Sequence, residues 1–510
     1  MNNSVDVYEF WDLIAQEAHL PNNDVLRKNT FAEFLNGNNR KHIWLFGCNA
    51  VGKKLIELFK DELNIVGILD NSVAMWNREF CGVKVFDPNN IVPTLSEDSD
   101  VIIITLRLNA DIVYRQIVKM DFHNIFSLGV LIAGIEPYRS FLTELQRYLV
   151  QPLKFDIILM ESMNDFDGNV GALYEYMKKT GANYRFVWIC KSEDSGHEYF
   201  DSDDIKLIPT KSVDDLKRYM ILRATAKWEI WECDAIRKVR KDQVNVFLQH
   251  YGMGYKQVAH LYNSPDYVDY VLTTNEFVCE LEKKSITYAD NSEFIFGELP
   301  RNDVLKYKWD EISKITDKSF DKIVMWAPTL RESKFYNRVD SDILYPFGIS
   351  LIYDKADMEL LNKKLAELDI LLLIKIHPRQ KINFEELEYT NIIYLDGDSI
   401  KKIHAYKLLS QMDALITDYS SIVFDYMLLD RPCAWVLEDR DHYKIEYLMD
   451  NPDEYMPGEK IYKIDDLLKF LINVSEGKDT YGDQRRKICG RCNYPFDGKG
   501  SERLLEVIGL

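Results

Sequence analysis

Cysteine is scarce: eight residues in 510. That scatter is too thin for a disulfide framework, which excludes the small secreted scaffolds and points to a reducing cytoplasm. Positive charge is in deficit too. Lys and Arg total 63 against 82 Asp and Glu, a formal net charge of −19. A nucleic-acid scaffold would show a basic face, and broad attraction to an anionic membrane would need a basic surface, so neither is expected beyond a local patch. No stretch approaches the roughly 18 uninterrupted apolar residues that span a bilayer. The opening residues, MNNSVDVYEFWDL, lack the basic and apolar regions of a signal peptide. Low-complexity tracts and solenoid repeats are missing as well. What is present is 46% hydrophobic residues in a length suited to roughly three domains, the profile of an intracellular multidomain protein.

The apolar pattern falls into three series. Residues 1–40 read as an amphipathic helical segment (Phe10, Trp11, Ile14, then Leu26, Phe31, Phe34) closed by Asn36-Gly-Asn-Asn-Arg40. Within 41–150, strands at His42–Phe46, Asn64–Leu69 and Val101–Thr105 alternate with helices at Gly52–Phe59 and Ala110–Met120, the signature of a parallel, doubly wound sheet. The pattern restarts in 151–320, with strands at Ile157–Glu161, Tyr184–Ile189, Trp228–Trp231, Val244–Gln249 and Val268–Thr273. It restarts again in 321–510, with strands at Ile323–Ala327, Ile370–Ile376 and Ala414–Thr417 and helices at Met358–Leu368 and Ile464–Val474. Two successive α/β units predict a two-lobed enzyme with a central cleft, preceded by a separate small Rossmann-like domain.

The turn Gly47-Cys-Asn-Ala-Val-Gly52-Lys53-Lys54 lies between a strand and a helix. A phosphate loop of the Walker type needs Ser or Thr after its lysine, and Lys54 stands there instead, which argues against an NTPase. The dinucleotide fingerprint fits better, with Gly47 and Gly52 as first and last glycines and Asp70 after the second strand. Asn49 replaces the middle glycine, where backbone must approach a pyrophosphate. The turn, with Gly67-Ile-Leu-Asp-Asn71, resembles the small Rossmann-like domains attached to some enzymes of bacterial surface polysaccharides. Gly47, Gly52 and Asp70 are the candidate cofactor contacts, but a structural or regulatory module without a dinucleotide is the favoured reading.

Chemistry concentrates at strand ends in the later units. Val244–Gln249 ends at His250, followed by Tyr251-Gly-Met-Gly-Tyr-Lys256. An imidazole there projects into the ligand crevice of an α/β sheet, and its ordinary pKa of about 6.5 suits proton abstraction. Ile370–Ile376 ends at His377-Pro-Arg379 with Lys375 just before, a cationic setting fit for phosphate rather than metal. Trp326-Ala-Pro-Thr-Leu-Arg331 places Thr329 and Arg331 after another strand. Ala414–Thr417 runs into Asp418-Tyr-Ser-Ser421 and then a helical stretch carrying Asp425, a hydroxyl-rich turn where backbone N–H groups and Ser420 and Ser421 can meet a phosphate. An ordinary helix cap is the alternative there. Pro300-Arg301-Asn-Asp303 marks the crossing between lobes, and Asp497-Gly-Lys499 with Ser501-Glu-Arg503 opens the last helix.

In this order, with Glu161-Ser162, Ala172-Leu-Tyr-Glu-Tyr176, Ala226-Lys-Trp228 and Gln249-His250, the chain from about Phe155 to Val507 resembles the CDP-glycerol glycerophosphotransferase family, which includes teichoic acid polymerases and primases. The resemblance implies a GT-B-type pair of Rossmann-like lobes, the amino lobe on the acceptor side and the carboxyl lobe on the CDP-donor side. It implies transfer of an alditol phosphate, most simply glycerol phosphate, from a CDP-linked donor to a hydroxyl of a teichoic or capsule precursor, with loss of CMP. The catalytic pair would be His250 as general base and His377 as a contact of the donor pyrophosphate or of the transferring phosphoryl oxygens. Ser420 and Ser421 would hold the pyrophosphate, Arg331 and Arg379 would supply positive charge, and Lys256, Arg301, Thr329, Lys375, Asp418 and Asp425 complete the substrate side. No metal and no cofactor beyond the donor are expected. The partners expected are a glycan or lipid-linked glycan acceptor, with peripheral contact at the inner face of the membrane and a homo-oligomer as further options.

One departure bears on substrate choice. The family carries His-Gly-x-Pro-x-Lys after the strand, whereas this chain has one more residue before Lys256 and no proline. CDP-ribitol or another CMP-activated donor, a UDP-sugar transferase on the same fold, and an inactive nucleotide-binding scaffold are the other readings. Asp201-Ser-Asp203 and Asp396-Gly-Asp398 match metal-site spacing by chance in an acidic chain, and Cys489-Gly-Arg-Cys492 lacks a second ligand pair. Glu438-Asp-Arg-Asp-His442 reads as a solvated loop, with Asp441 or His442 as outside candidates for the cleft.

Overall fold

The computed structural model describes residues 38, 40–106, 110–127, 147–209, 211–232, 240, 242–250, 252–256, 268–284, 292–329, 331–333, 338–343, 345–376, 389–395 and 403–510. The helical reading of residues 1–37, His377 and Arg379 lie outside that set. Among the described residues no helix is long and apolar enough to cross a membrane.

The first unit is a six-stranded sheet in the order β3-β4-β2-β1-β5-β6. Its strands are β1 (His42–Phe46), β2 (Ile65–Leu69), β3 (Glu79–Phe80), β4 (Val83–Phe86), β5 (Asp100–Ile104) and β6 (Ile125–Ser127), with helices α1 (Ala50–Phe59) and α2 (Ala110–Val118). All pairings are parallel except the β3–β4 hairpin. The apolar runs IVGIL and DVIII supply both faces of the sheet, as a covered parallel sheet demands.

The amino lobe is a seven-stranded, wholly parallel sheet, β13-β12-β11-β10-β7-β8-β9. Its strands are β7 (Lys154–Glu161), β8 (Arg185–Ile189), β9 (Ile205–Leu207), β10 (Ala226–Trp231), β11 (Val244–Phe247), β12 (Tyr270–Thr273) and β13 (Glu293–Phe296). Helices α3 (Gly168–Lys179), α4 (Val213–Thr225) and α5 (Glu276–Glu282) connect them. The carboxyl lobe is a six-stranded parallel sheet, β18-β17-β14-β19-β20-β21, beside the two-stranded hairpin β15-β16. It comprises β14 (Lys322–Ala327), β15 (Glu332–Ser333), β16 (Arg338–Val339), β17 (Ile370–Lys375), β18 (Ile392–Leu395), β19 (Ala414–Thr417), β20 (Cys433–Val436) and β21 (Glu459–Ile461). Its helices are α6 (Lys355–Glu367), α7 (Ala405–Leu409), α8 (Ile422–Tyr426), α9 (Ile464–Ser475) and α10 (Gly482–Cys492). Buried leucines and isoleucines of β17, together with β14 and β19, fill the layers on either side.

Two features depart from the linear reading of the chain. The last helix, α11 (Gly500–Ile508), grouped with the carboxyl lobe by its sequence position, contributes Leu504, Leu505 and Ile508 to the amino-lobe core. Conversely, Met253 and Tyr255, just after β11, belong to the carboxyl-lobe core. The chain therefore crosses between lobes near residue 300 and returns near 498, and the crossings are laced together. Asp303 accepts from the Gly500 and Ser501 amides at 2.7 and 2.9 Å, and Glu298 accepts from Arg503 at 2.9 Å.

Candidate active site

Strand order locates the crevices before any side chain does. In the carboxyl lobe β14 has β17 on one side and β19 on the other, so the order reverses between β14 and β19. Ligands of open α/β sheets bind outside the strand ends at such a switch point. The turn Asp418–Ser421 follows β19 there, and Thr329 follows β14. Ser420 and Ser421 are half-buried, and Ser421 precedes α8 without capping it through its side chain. Lys375 ends the adjacent β17. Burial pushes its ammonium below the ordinary lysine range, with the charge of Asp167 on the amino lobe opposing.

Three of the expected substrate contacts are turned toward protein. Asp418 is 2% exposed and accepts from the Thr329 amide at 3.0 Å and from the Thr329 hydroxyl. Arg331 lies 2.9 Å from Asp418. It donates through Nε to Asp439 at 2.7 Å and through Nη2 to the same carboxylate at 3.1 Å. The reading of the 438–442 run as a solvated loop is corrected at two positions. Asp439 is fully buried as the partner of Arg331, and Glu438 accepts from the Leu351 amide at 2.8 Å and the Tyr353 hydroxyl at 2.7 Å. Spacing could not separate that carboxylate from its solvated neighbours, because the buried guanidinium that calls for it lies 108 residues earlier.

On the amino lobe, His250 follows β11 and is half-buried. The residue before it, Gln249, has φ 56°, a left-handed backbone uncommon for a residue with a side chain. The Gln249 amide is anchored to the Leu272 carbonyl at 3.0 Å and to Glu282 at 3.2 Å. Beyond His250 the chain enters the other lobe: the Tyr255 ring lies 4.9 Å from Phe424, its carbonyl accepts from Leu448 at 2.8 Å, and Lys256 bridges Tyr447. The Gly252–Lys256 turn is thus fixed between the lobes.

The walls meet at Arg301. Its guanidinium donates to the His250 carbonyl at 2.5 Å and to Asp425 of α8 at 2.8 Å. Asp425 also accepts from Asn302 at 3.1 Å and Tyr406 at 2.6 Å.

Sequence reasoning missed three polar residues packed beneath this point. Asn169 is fully buried at the start of α3, and its backbone N–H donates to Glu232 at 2.8 Å. Gly168 has φ 69°, and a Cβ there would lie 2.0 Å from a Glu232 oxygen, so only glycine admits the carboxyl to this helix start. Burial pushes Glu232 up to about 8, opposed by the Asn169 amide and by Arg301. Asp167 caps α3 by accepting from the Gly168 amide at 2.7 Å. The polar run Asp167-Gly-Asn169 after a buried strand was the available signal.

In the first unit, the candidate cofactor contacts are bonded internally. Asp70 accepts from the Cys48 and Ser72 amides, both at 2.8 Å, and Asn49 accepts from the Gly52 amide at 2.8 Å while donating to the Thr105 carbonyl at 3.1 Å. Gly47 has φ 117°, and a Cβ there would stand 2.8 Å from Leu106. Among the described residues no cluster of three or more His, Cys, Asp or Glu forms a cation site, and Asp201 pairs with Lys178 at 2.6 Å.

Two Rossmann-like lobes joined by a double crossing, with candidate residues at the carboxyl ends of both sheets, define a two-lobed fold of the GT-B type. The profile described as CDP-Glycerol:Poly(glycerophosphate) glycerophosphotransferase matches residues 144–510. The chain belongs to that family and is an enzyme. It is similar to the teichoic acid glycerol-phosphate transferase of Staphylococcus aureus, 24% identical over 69% of this chain and 92% of that protein. It is also similar to the teichoic acid poly(ribitol-phosphate) polymerase of Bacillus spizizenii, 26% identical over 70% of this chain and 56% of that one. Among solved structures, the wall teichoic acid polymerase TagF superposes with a TM-score of 0.58 at 21% identity, covering 73% of this chain and 93% of that one.

Proposed function

We propose that the protein moves glycerol phosphate from CDP-glycerol to a hydroxyl of a teichoic acid or related surface-glycan precursor. The observation that carries the assignment of roles is the run of bonds from the His250 carbonyl through Arg301 to Asp425, one helical turn beyond Ser421. It ties the backbone that carries the imidazole to the helix that follows the hydroxyl-rich turn, which supports placing both at one site.

In this reading His250 removes the proton of the acceptor hydroxyl as its oxygen attacks the β-phosphorus. The bond from that phosphorus to the bridging oxygen breaks, CMP leaves with the bridging oxygen, and a phosphodiester forms. Ser420, Ser421 and their amides, with Lys375, meet the pyrophosphate charge; His377 and Arg379 fall to the same role by position. Such transfer depends on alignment and charge stabilisation more than on covalent catalysis. Arg331, Asp418 and Thr329 shape the switch-point crevice through their mutual bonds. Nucleotide-activated donors place the work on the cytoplasmic side, with a lipid-linked glycan acceptor reached at the membrane face.

CDP-ribitol is the second reading, favoured by the ribitol-phosphate polymerase among the relatives and by the altered turn before Lys256. Incubation with CDP-glycerol, CDP-ribitol and a UDP-sugar, each with a glycerol-phosphate-primed acceptor, separates the readings by chromatography of released nucleotide. CMP from CDP-glycerol at the highest rate is expected. CMP from CDP-ribitol alone moves the assignment to ribitol, and UDP release overturns both.

A further inference from the structure

Sheet pairing of β11 ends at Phe247, yet the next three carbonyls are not left to solvent. The buried Asn169 amide donates to the carbonyls of Leu248 at 3.2 Å and Gln249 at 2.6 Å. Arg301 donates to that of His250 at 2.5 Å. Between them, Gln249 takes its left-handed turn, φ 56°, which swings the following residue out of the strand direction. The Leu248 N–H still bonds to the Trp231 carbonyl of β10 at 2.8 Å; beyond it, the carbonyls of the backbone that presents the imidazole are held by side chains.

Arg301 is anchored from the opposite lobe. Asp425 grips its second terminal nitrogen and is itself held by Asn302 and Tyr406, while the guanidinium lies 5.2 Å from the Tyr406 ring centre. Both residues are nearly completely buried, 4% and 2% exposed. A carboxylate with three donors already bonded has little left to offer a substrate.

We propose that Arg301 and Asp425 act as positioning residues, fixing the backbone of His250 from the donor side of the cleft, so that the base is aligned only when the lobes are in register. The proposal rests on reading His250 as the base. A planar fork can hold two acceptors at once, whereas a lysine ammonium on a flexible stem cannot reproduce that geometry.

The test is a double-mutant cycle. Arg301→Lys and Asp425→Asn are each measured alone and in a His250→Ala background, with CDP-glycerol as donor, by single-turnover CMP release, after circular dichroism and melting confirm folding. In the native background Arg301→Lys should lower kcat by about 100-fold, the order expected for misplacing a catalytic group by about 1 Å. KM for CDP-glycerol should change less than about threefold. In the His250→Ala background the same substitution should add no further loss. Asp425→Asn, which keeps the shape and removes the charge, should repeat the pattern with a smaller loss and stands alone if Arg301→Lys does not fold. Equal losses in both backgrounds, or a rise in KM alone, would overturn the positioning role while leaving His250 as base. Full turnover by His250→Ala itself would remove the base, and this proposal with it.

Discussion

At the scale of single residues, charge placement carries the argument. His250→Ala should cut turnover by orders of magnitude while CDP affinity, read by calorimetry, stays within about threefold, because the loss falls on the transition state. Undiminished turnover would take His250 out of the mechanism. Behind it, Glu282 is buried and pushed up to about 8 by desolvation, with Gln249 and Thr273 hydrogen bonds opposing. Its folded pKa lies above its unfolded value near 4.5. Between those values the folded state binds more protons than the unfolded one, so the contribution to stability is complete below about 4.5 and is lost as pH rises toward 8. The slope is about 1.4 kcal/mol per pH unit for a group wholly inside its window. Glu282→Gln should therefore flatten the fall in stability between about pH 5 and 8, as measured by urea unfolding. An unchanged pH slope would contradict the buried neutral carboxyl.

At the scale of elements, much was legible because parallel strands covered on both faces appear as unbroken apolar runs. ILLLIK and ALIT stand out in this way. The short outer strands Ile205–Leu207 and Glu459–Ile461 carry too few apolar residues to announce themselves. Whether a carboxylate at a strand end faces a ligand or a guanidinium is also unreadable from spacing. Asp418 and Asp439 converge on Arg331 from turns after β19 and β20, and only the fold brings them together. Removing one partner of a buried pair costs about 3–5 kcal/mol. Asp439→Ala should fall near the lower end, since Asp418 remains 2.9 Å from the guanidinium. Denaturant midpoints would report it, and a loss below about 1 kcal/mol would mean that solvent reaches the pair.

At the scale of the whole molecule, the lobes exchange segments: the turn after His250 packs in the carboxyl-lobe core, and α11 returns to the amino-lobe core. Neither exchange is visible in a linear reading, where apolar periodicity reports that a segment is buried but not against which lobe. The exchange matters because it ties the backbone of His250 and the helix after the Asp418–Ser421 turn into one unit through Arg301 and Asp425.

The most direct test is a crystal structure of the His250→Ala protein with CDP-glycerol bound. The pyrophosphate should rest against Ser420 and Ser421, with the glycerol-bearing phosphorus facing the position vacated by the imidazole across a gap wide enough for one acceptor hydroxyl. A donor lodged away from the β14–β19 crevice, or one whose phosphorus faces away from residue 250, would contradict it.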